Sequence, residues 1–494
     1  MNRMSDSERQ TKEECLGEKL SFKSMFSFSL GNMGSALMSG IVYASISFYY
    51  TDKLLADSKL IGWGWILFMV WNTINDPIFG HITDNTRHKL GRRIPYIRYG
   101  AIFYGISFIF CWYPIVPLNN DWALMGNFLI VLFLFDTMFS IVGTCYYCLP
   151  NEMTTDPEER ARLGVVNTIL WIAAIGIQMA VPLVLLVEGT SEINPMFKPV
   201  MIIIAIISSA LIFITSFFLK ENEFAQTQDS EPFWEGIKKT LKNKPFLIFE
   251  LSSFSLTLVT QTITTGIFYY LSDVLEVDLM ALITGEQVRY DLGISLLIML
   301  AGLLVGAGIA IFKIKTLGVK KISLLSFGSC AVGFAIFALT GMKSIENAYP
   351  ASIGFFFLTM GAAGAMIILP AVTGDVIDYD ELLTGERREG AYAGFNAIVT
   401  KPAISLANWA FLSLIDVFGY KENPISGQQT AFAKLGIIIA FTLIPAFFTA
   451  ITTLIYKWYP LHGEWWRKKK IQINELHNQK REKYKKTCGN RNKI

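Results

Sequence analysis

Three ionisable residues, Asp76, Asp136 and Lys401, stand inside stretches that are otherwise long and apolar. A charge in such a setting is costly, so each is a candidate functional group before any other consideration. Asp76 stacks on one helix face with Asn72, four residues earlier. A carboxylate beside an amide can hold a cation, a proton or a polar solute inside an apolar span. Just beyond them the sequence H-I-T-D-N-T-R-H-K-L-G-R-R breaks into a short loop with Arg87, Lys89, Arg92 and Arg93, and hydrophobic sequence resumes at Ile94.

The elements that must position these groups are membrane spans. Hydrophobic residues make up 52% of the 494 and charged residues 17%, and the charge is confined to short segments between apolar runs. A soluble domain of this length would spread that charge over amphipathic faces. Runs of about 20 apolar residues match a hydrocarbon core of roughly 30 Å. Twelve such runs begin near residues 25, 60, 97, 124, 164, 199, 246, 291, 319, 350, 391 and 431. The first 24 residues lack the basic start, apolar stretch and cleavage site of a secretory signal, so the first span reads as a retained signal anchor. Cys145 and Cys148 form a lone C-x-x-C within the fourth span, which favours helix packing over a metal or redox role.

Loop charge sets the orientation. The loops after spans 2, 4, 6, 8 and 10 hold many more arginines and lysines than the odd-numbered loops, including Arg160, Arg162, Arg387 and Arg388, which places both termini in the cytoplasm. The expected organisation is an N-terminal tail over 1–24, a six-helix bundle over 25–219, a middle loop over 220–245, a second six-helix bundle over 246–460 and a basic tail over 461–494. An amphipathic helix carrying Phe233, Trp234 and Ile237 is expected in the middle loop. The basic tail suits either the anionic inner leaflet or a solvated, disordered state. Leu149-Pro150 and Leu369-Pro370 each lead into an acidic and then basic loop, ending near Asn167 and Asn396. Parallel repetition of two halves is a feature of transporters that work by alternating access.

Three motifs carry a more specific signal: N-D-P-I-F-G-H-I-T-D-N-T-R-H-K-L-G-R-R-I-P, L-P-N-E-M-T-T-D-P-E-E-R-A-R-L, and D-V-I-D-Y with Lys401 downstream. In that order, and over all twelve spans, they resemble the glycoside-pentoside-hexuronide:cation symporter family of the major facilitator superfamily. The resemblance implies an all-α integral membrane fold, with twelve transmembrane helices in two six-helix bundles around a central cavity. It also implies solute movement coupled to sodium or a proton.

Carried over residue by residue, the resemblance makes Asn72, Asp76, Asp136, Ser140 and Lys401 the coupling-ion candidates. In the family both second-span positions are carboxylates, whereas here Asn72 is neutral. Ser140 falls where the family has a hydroxyl ligand, and Asp136, one turn away, has no family counterpart. Two readings of Asp136 stand: it replaces the lost coupling charge, or it ties helices together by hydrogen bonds. Lys401 lies 26 residues beyond Asp375, the family's interval for an intramembrane lysine. It reads either as part of a charge pair that rearranges on cation binding or as a static ion pair, with Asp76 and Asp136 as partners. The family's sugar-binding charges are replaced by Ala36, Gly143 and Thr168. Tyr43, Tyr147, Gln178, Met366 and Asn396 remain as substrate-cavity candidates, so the solute should be less polar than a galactoside. Asp84, Arg87, Arg92, Arg93, Asp156, Arg160, Asp375, Asp378, Arg387 and Arg388 form an expected cytoplasmic gate. Topology-setting charge alone would explain its arginines but not its acids.

The expected function is secondary active transport of a glycoside-like solute in symport with a cation or proton. A sodium-linked carrier of lysolipids or other amphipaths, and a non-transporting receptor or scaffold of the same fold, are the alternatives. No ATP-binding loop, metal-ligand spacing or clustered catalytic set is present in the sequence, so neither an enzyme nor a cofactor is expected. The expected partners are a small-molecule solute and the lipid bilayer, with no nucleic acid, and the expected state is a multi-pass monomer of the plasma membrane.

Overall fold

The structure, a computed structural model, describes residues 20–153, 157–186, 193–221, 243–274, 292–343, 348–384, 389–422, 428–473 and 475. Its long elements are α1 (Phe22–Phe48), α2 (Ser58–Asp84), α3 (Ile94–Phe110), α4 (Asp121–Met153), α5 (Pro157–Leu186) and α6 (Phe197–Thr215). They continue with α7 (Lys244–Tyr269), α8 (Leu292–Lys343), α9 (Ala348–Thr384), α10 (Glu389–Val417) and α11 (Ala431–Tyr456). Gly318, at φ 77° and ψ 162°, breaks α8 into two rods. Short π-helical turns, Tyr49–Lys53 and Tyr270–Val274, extend α1 and α7. Among the described residues, nine helical stretches are long and apolar enough to cross a bilayer.

The sequence explains why these helices pack as they do. On α2 the residues Trp63, Leu67, Val70, Ile74, Ile78 and Ile82 recur at three- and four-residue spacing, and all are exposed. Asn72 and Asn75 on the opposite face are buried. A soluble helix shows the reverse, with its apolar stripe turned inward. Apolar residues outward and amides inward suit a helix with lipid on one side and protein on the other.

The chain divides into two compact units. The first comprises Met1–Ser230, Gln261–Arg289 and Ile404–Ala440, and the second Glu231–Thr260, Tyr290–Ala403 and Phe441–Ile494. In the first unit α1 packs on α5 and α6, α2 on α4, and α3 on α4 and α6. In the second, α8 lies along α9. The core of the second unit includes Phe246, Phe249, Phe327, Tyr392 and Tyr456.

Two motif regions are more helical than their acidic character suggests. L-P-N-E-M belongs to α4, which runs to Met153, and D-V-I-D-Y-D-E-L-L-T belongs to α9, which runs to Thr384. Asp375, Asp378 and Asp380 are therefore spaced along a helix and not in a loop. Pro150 is accommodated inside α4, as prolines are in membrane helices where neighbouring groups satisfy the freed carbonyl. The expected amphipathic segment with Phe233, Trp234 and Ile237 lies outside the described residues.

Candidate functional site

Asp136 sits on α4 and is fully buried. Its Oδ1 accepts a 2.6 Å hydrogen bond from the Tyr43 hydroxyl of α1, and its Oδ2 accepts one from the Asn75 amide of α2. Three helices thus converge on one carboxylate. Phe135 and Phe139 meet the Tyr43 ring edge-on at 6.3 and 6.0 Å, and Trp65 stands tilted at 6.4 Å. These rings keep water from the carboxylate, which strengthens each hydrogen bond and raises the cost of losing one. Ser140 is buried one turn further along α4, and Asn72 is buried one turn before Asp76 on α2. Asp76 itself is half-buried and within electrostatic reach of Tyr43.

The site therefore draws together Asp136, Tyr43 and Asn75, with Asp76 near them. Tyr43, expected in a substrate cavity, spends its hydroxyl on Asp136. Asn75 was missed by reasoning from sequence, which selected Asn72 and Asp76 for their four-residue spacing. Its only signal was that it is a second amide in an apolar helix.

A polar strip runs on from this centre within the first unit. Gln261 of α7 donates to the Tyr43 carbonyl at 2.8 Å and to the Thr265 hydroxyl at 3.1 Å. Thr265 and Ser47 both donate to Asn408 Oδ1, at 2.8 and 3.4 Å, and the Trp65 indole donates to Ser47. Further along, the Thr51 and Tyr269 hydroxyls meet at 2.6 Å. The Ser58 backbone N–H donates to Glu422 at 2.8 Å. These bonds tie α1 and α2 to the segments of α7 and α10 that belong to the same unit.

Glu422, between α10 and α11, has a titration that gives this end a pH dependence. Burial pushes its carboxyl above the ordinary glutamate value, against the smaller opposing effect of the Ser58 N–H. A folded value above the unfolded one means that the folded protein binds the proton more tightly. The resulting stabilisation is full below about pH 4.3 and is lost as the pH rises through the raised value. Glu422→Gln keeps the acceptor for Ser58 without the charge. It is expected to melt above the wild type at neutral pH, with the difference shrinking as the pH is lowered toward 4, as read by thermal unfolding in detergent across that range.

The basic loop after α2 is organised by an acid from a distant segment. Glu221 accepts from the backbone N–H groups of Arg92, Arg93 and Ile94 at 2.7, 2.8 and 2.9 Å. A carboxylate at the N-terminus of α3 satisfies its unpaired donors and complements the helix dipole. Gly91 has φ +108°, and a Cβ there would lie 2.5 Å from the Glu221 carboxyl. Gly91→Ala is therefore expected to disturb both the turn and the cap, and Glu221→Ala the cap alone. Each should cost about 2 kcal/mol, the scale of a few charge-assisted hydrogen bonds, measured as a lowered thermal midpoint.

The other expected gate residues are placed as follows. Arg93 is buried and donates to Thr83 of α2. Arg87 is exposed and Arg92 half-buried. Asp84 and Arg160 lie on α2 and α5. Asp156, Arg387 and Arg388 lie outside the described residues. In the second unit Asp375 forms a 2.6 Å ion pair with Lys470 and accepts from the Trp466 indole at 3.1 Å, both from a short helix over 463–473. Asp378 is half-buried on α9.

Among the cavity candidates, Gln178 is half-buried on α5 against Gly40 of α1, where a Cβ would overlap its amide. Tyr147 on α4 is 70% exposed and Met366 on α9 40%. Lys401 is half-buried on α10. Asn396, also on α10, donates from Nδ2 to both oxygens of Glu250 on α7, at 3.4 and 3.3 Å. Glu250 is an acid in an apolar span, so the criterion that selected Asp76 and Asp136 would have found it.

The chain matches a family model described as "MFS/sugar transport protein" over residues 27–463. It is 23% identical over 440 residues to the isoprimeverose transporter of Lactiplantibacillus pentosus, covering 87% of this chain and 88% of that protein. It is 22% identical over 482 residues to the glucuronide carrier protein homolog of Escherichia coli (strain K12), covering 94% and 98%. Among solved structures it is similar to a D-xylose-proton symporter, with a TM-score of 0.61 and 14% identity over 89% of this chain and 97% of that one. It is also similar to the nucleoside transporter NupG, with a TM-score of 0.57 and 15% identity over 89% and 100%.

Proposed function

The chain belongs to the glycoside-pentoside-hexuronide:cation symporter family of the major facilitator superfamily, and from that premise we propose that it carries a glycoside-like solute by alternating access, with Asp136 as its coupling carboxylate. It is a multi-pass integral membrane protein of the plasma membrane, a secondary transporter of a small molecule and not an enzyme. We further propose twelve crossing helices, counting the two rods of α8 separately, arranged as two six-helix bundles with both termini cytoplasmic, acting as a monomer in the bilayer. The basic residues of the even-numbered loops support that orientation.

The observation that carries the coupling assignment is the burial of Asp136 among apolar helices, with a phenol and an amide among its partners. A charge held there is expensive, and binding a cation or a proton neutralises it. For sodium, the Asp136 carboxylate, the Ser140 hydroxyl and the amide oxygens of Asn72 and Asn75 are all hard donors. For a proton, Asp136 alone suffices. A receptor or scaffold has no use for such a group. When it changes charge, the hydrogen bonds from Tyr43 and Asn75 change in strength. Tyr43 also receives Gln261 at its carbonyl, so the change reaches the strip that ties α1 to α7.

The names of the relatives set the first substrates to try. Purified protein in vesicles should take up isoprimeverose or a glucuronide faster under an inward sodium or proton gradient than without one. A failure of either gradient to accelerate any of them would overturn the reading. Gradient-driven uptake of a lysolipid instead would overturn the solute class.

A further inference from the structure

The second unit holds a carboxylate that the coupling reading does not use. Glu250 is the seventh residue of α7, about 9 Å along the helix at 1.5 Å per residue, and it is 4% exposed. Among the described residues its hydrogen-bond partner is one neutral amide, Asn396, whose nitrogen lies about equally far from both oxygens. Phe246 and Phe249 on α7 and Tyr392 and Phe395 on α10 form the aromatic cluster next to these two residues in the chain.

The charged and titratable groups described in the same unit are not bonded to Glu250. Asp375 on α9 is paired with Lys470, the Tyr392 hydroxyl receives the Asn243 amide, and Lys320 on α8 donates to the Lys457 carbonyl. Among the described residues, Asp378, Asp380 and Glu381 on α9, Lys401 on α10, Lys313 and Lys321 on α8, and Tyr456 on α11 are not bonded to Glu250. Among the described residues no positive charge is bonded to the Glu250 carboxylate, and a buried, unbalanced charge costs several kcal/mol. Asn396 offers only N–H to it, which leaves the oxygens' other lone pairs for a small cation.

We propose that Glu250 is a proton-binding station of the transport cycle, loaded and unloaded separately from Asp136 and held in register by Asn396. The assignment to a cycle rests on the transport reading, while the binding of a proton at this residue does not. Asn396 thereby becomes a positioning residue for the proton site. On α10 the Thr400 hydroxyl donates to the Asn396 carbonyl and Lys401 follows it, so polar groups continue along the helix from the Glu250 amide partner.

The test begins with wild-type protein in vesicles, treated with an apolar carbodiimide, which labels protonated carboxylic acids in apolar surroundings, and mapped by mass spectrometry. Glu250 is expected to be labelled, with yield falling as the pH is raised and unchanged by added sodium chloride. Labelling that is absent at every pH, or suppressed by sodium at fixed pH and ionic strength, would overturn the proton assignment. In the second arm, Glu250→Gln should lose the acceleration of uptake by an inward proton gradient, about tenfold or more, and keep exchange of labelled for unlabelled solute without a gradient. Full retention of proton-driven uptake by Glu250→Gln would also overturn it. An inactive wild type would overturn the transport reading instead, and the labelling arm would still decide whether Glu250 takes a proton.

Discussion

Replacement of Asp136 by asparagine is expected to abolish solute accumulation against a gradient while leaving the protein folded. The variant keeps the shape of the side chain and an oxygen for the Tyr43 hydroxyl. It loses the charge and sets one amide nitrogen against another at Asn75. A hydrogen bond to a charged group contributes about 1.5 to 3 kcal/mol, so gradient-driven accumulation should fall by at least about tenfold. Tyr43→Phe removes one donor and retains the charge, so it should shift the cation or pH dependence and preserve accumulation. The measurement is steady-state accumulation in vesicles across sodium concentration and pH, with elution on gel filtration as the folding control. Accumulation by Asp136→Asn with unaltered cation and pH dependence would leave Asp136 as a helix tie only.

The second large effect concerns two glycines that stand two residues apart. A Cβ on Gly306 would collide with the backbone of Met360 on α9, through its carbonyl oxygen, carbonyl carbon and Cα. At Gly308 the nearest atom is the end of the Phe312 ring, at 4.0 Å. Backbone cannot swing aside as a side chain can. Gly306→Ala must push α8 off α9, at a cost of about 1 to 3 kcal/mol or more, as for other overpacked sites. Gly308→Ala meets no clash and gains up to about 1 kcal/mol of helix propensity. Thermal unfolding in detergent should therefore show midpoints that move in opposite directions. Equal shifts for the two variants would mean that α8 and α9 do not pack through Gly306.

The all-α membrane character and the family were legible in the sequence, and Asp136 stood out there as a carboxylate inside an apolar run. Hydrophobic run length is a strong signal, and a carboxylate inside such a run is conspicuous. The partners of Asp136 were harder to read. Counting residues placed Asn72 with Asp76, but which amide of α2 meets α4 depends on how the two helices are rotated against one another, and spacing on one helix does not encode that. Glu250 met the same criterion as Asp136 and was passed over because no motif of the family falls on it.

Beyond Tyr43 itself, the strip from Tyr43 to Asn408 carried no signal. It is made of threonine, serine, glutamine, asparagine and tyrosine, which occur singly in any membrane helix and acquire meaning only when α1, α2, α7 and α10 meet. Asp375 shows a different gap. Sequence reasoning placed it in a cytoplasmic gate without naming a partner, and its partners include Lys470 and Trp466, more than 90 residues on. The acids of D-V-I-D-Y lie on α9, which runs on to Thr384.

That pairing bears on how the molecule is made. Asp375 is 5% exposed, and the indole that binds it lies 91 residues later. A ribosome adds those residues after α9 has already emerged. Until Trp466 and Lys470 are synthesised, the second unit holds a buried acid with neither of these partners. Synthesis of the helix over 463–473 thus brings both of these partners to Asp375 together. A chain released before Trp466 would lack both partners at once and present an unbalanced carboxylate to whatever quality control surveys the membrane.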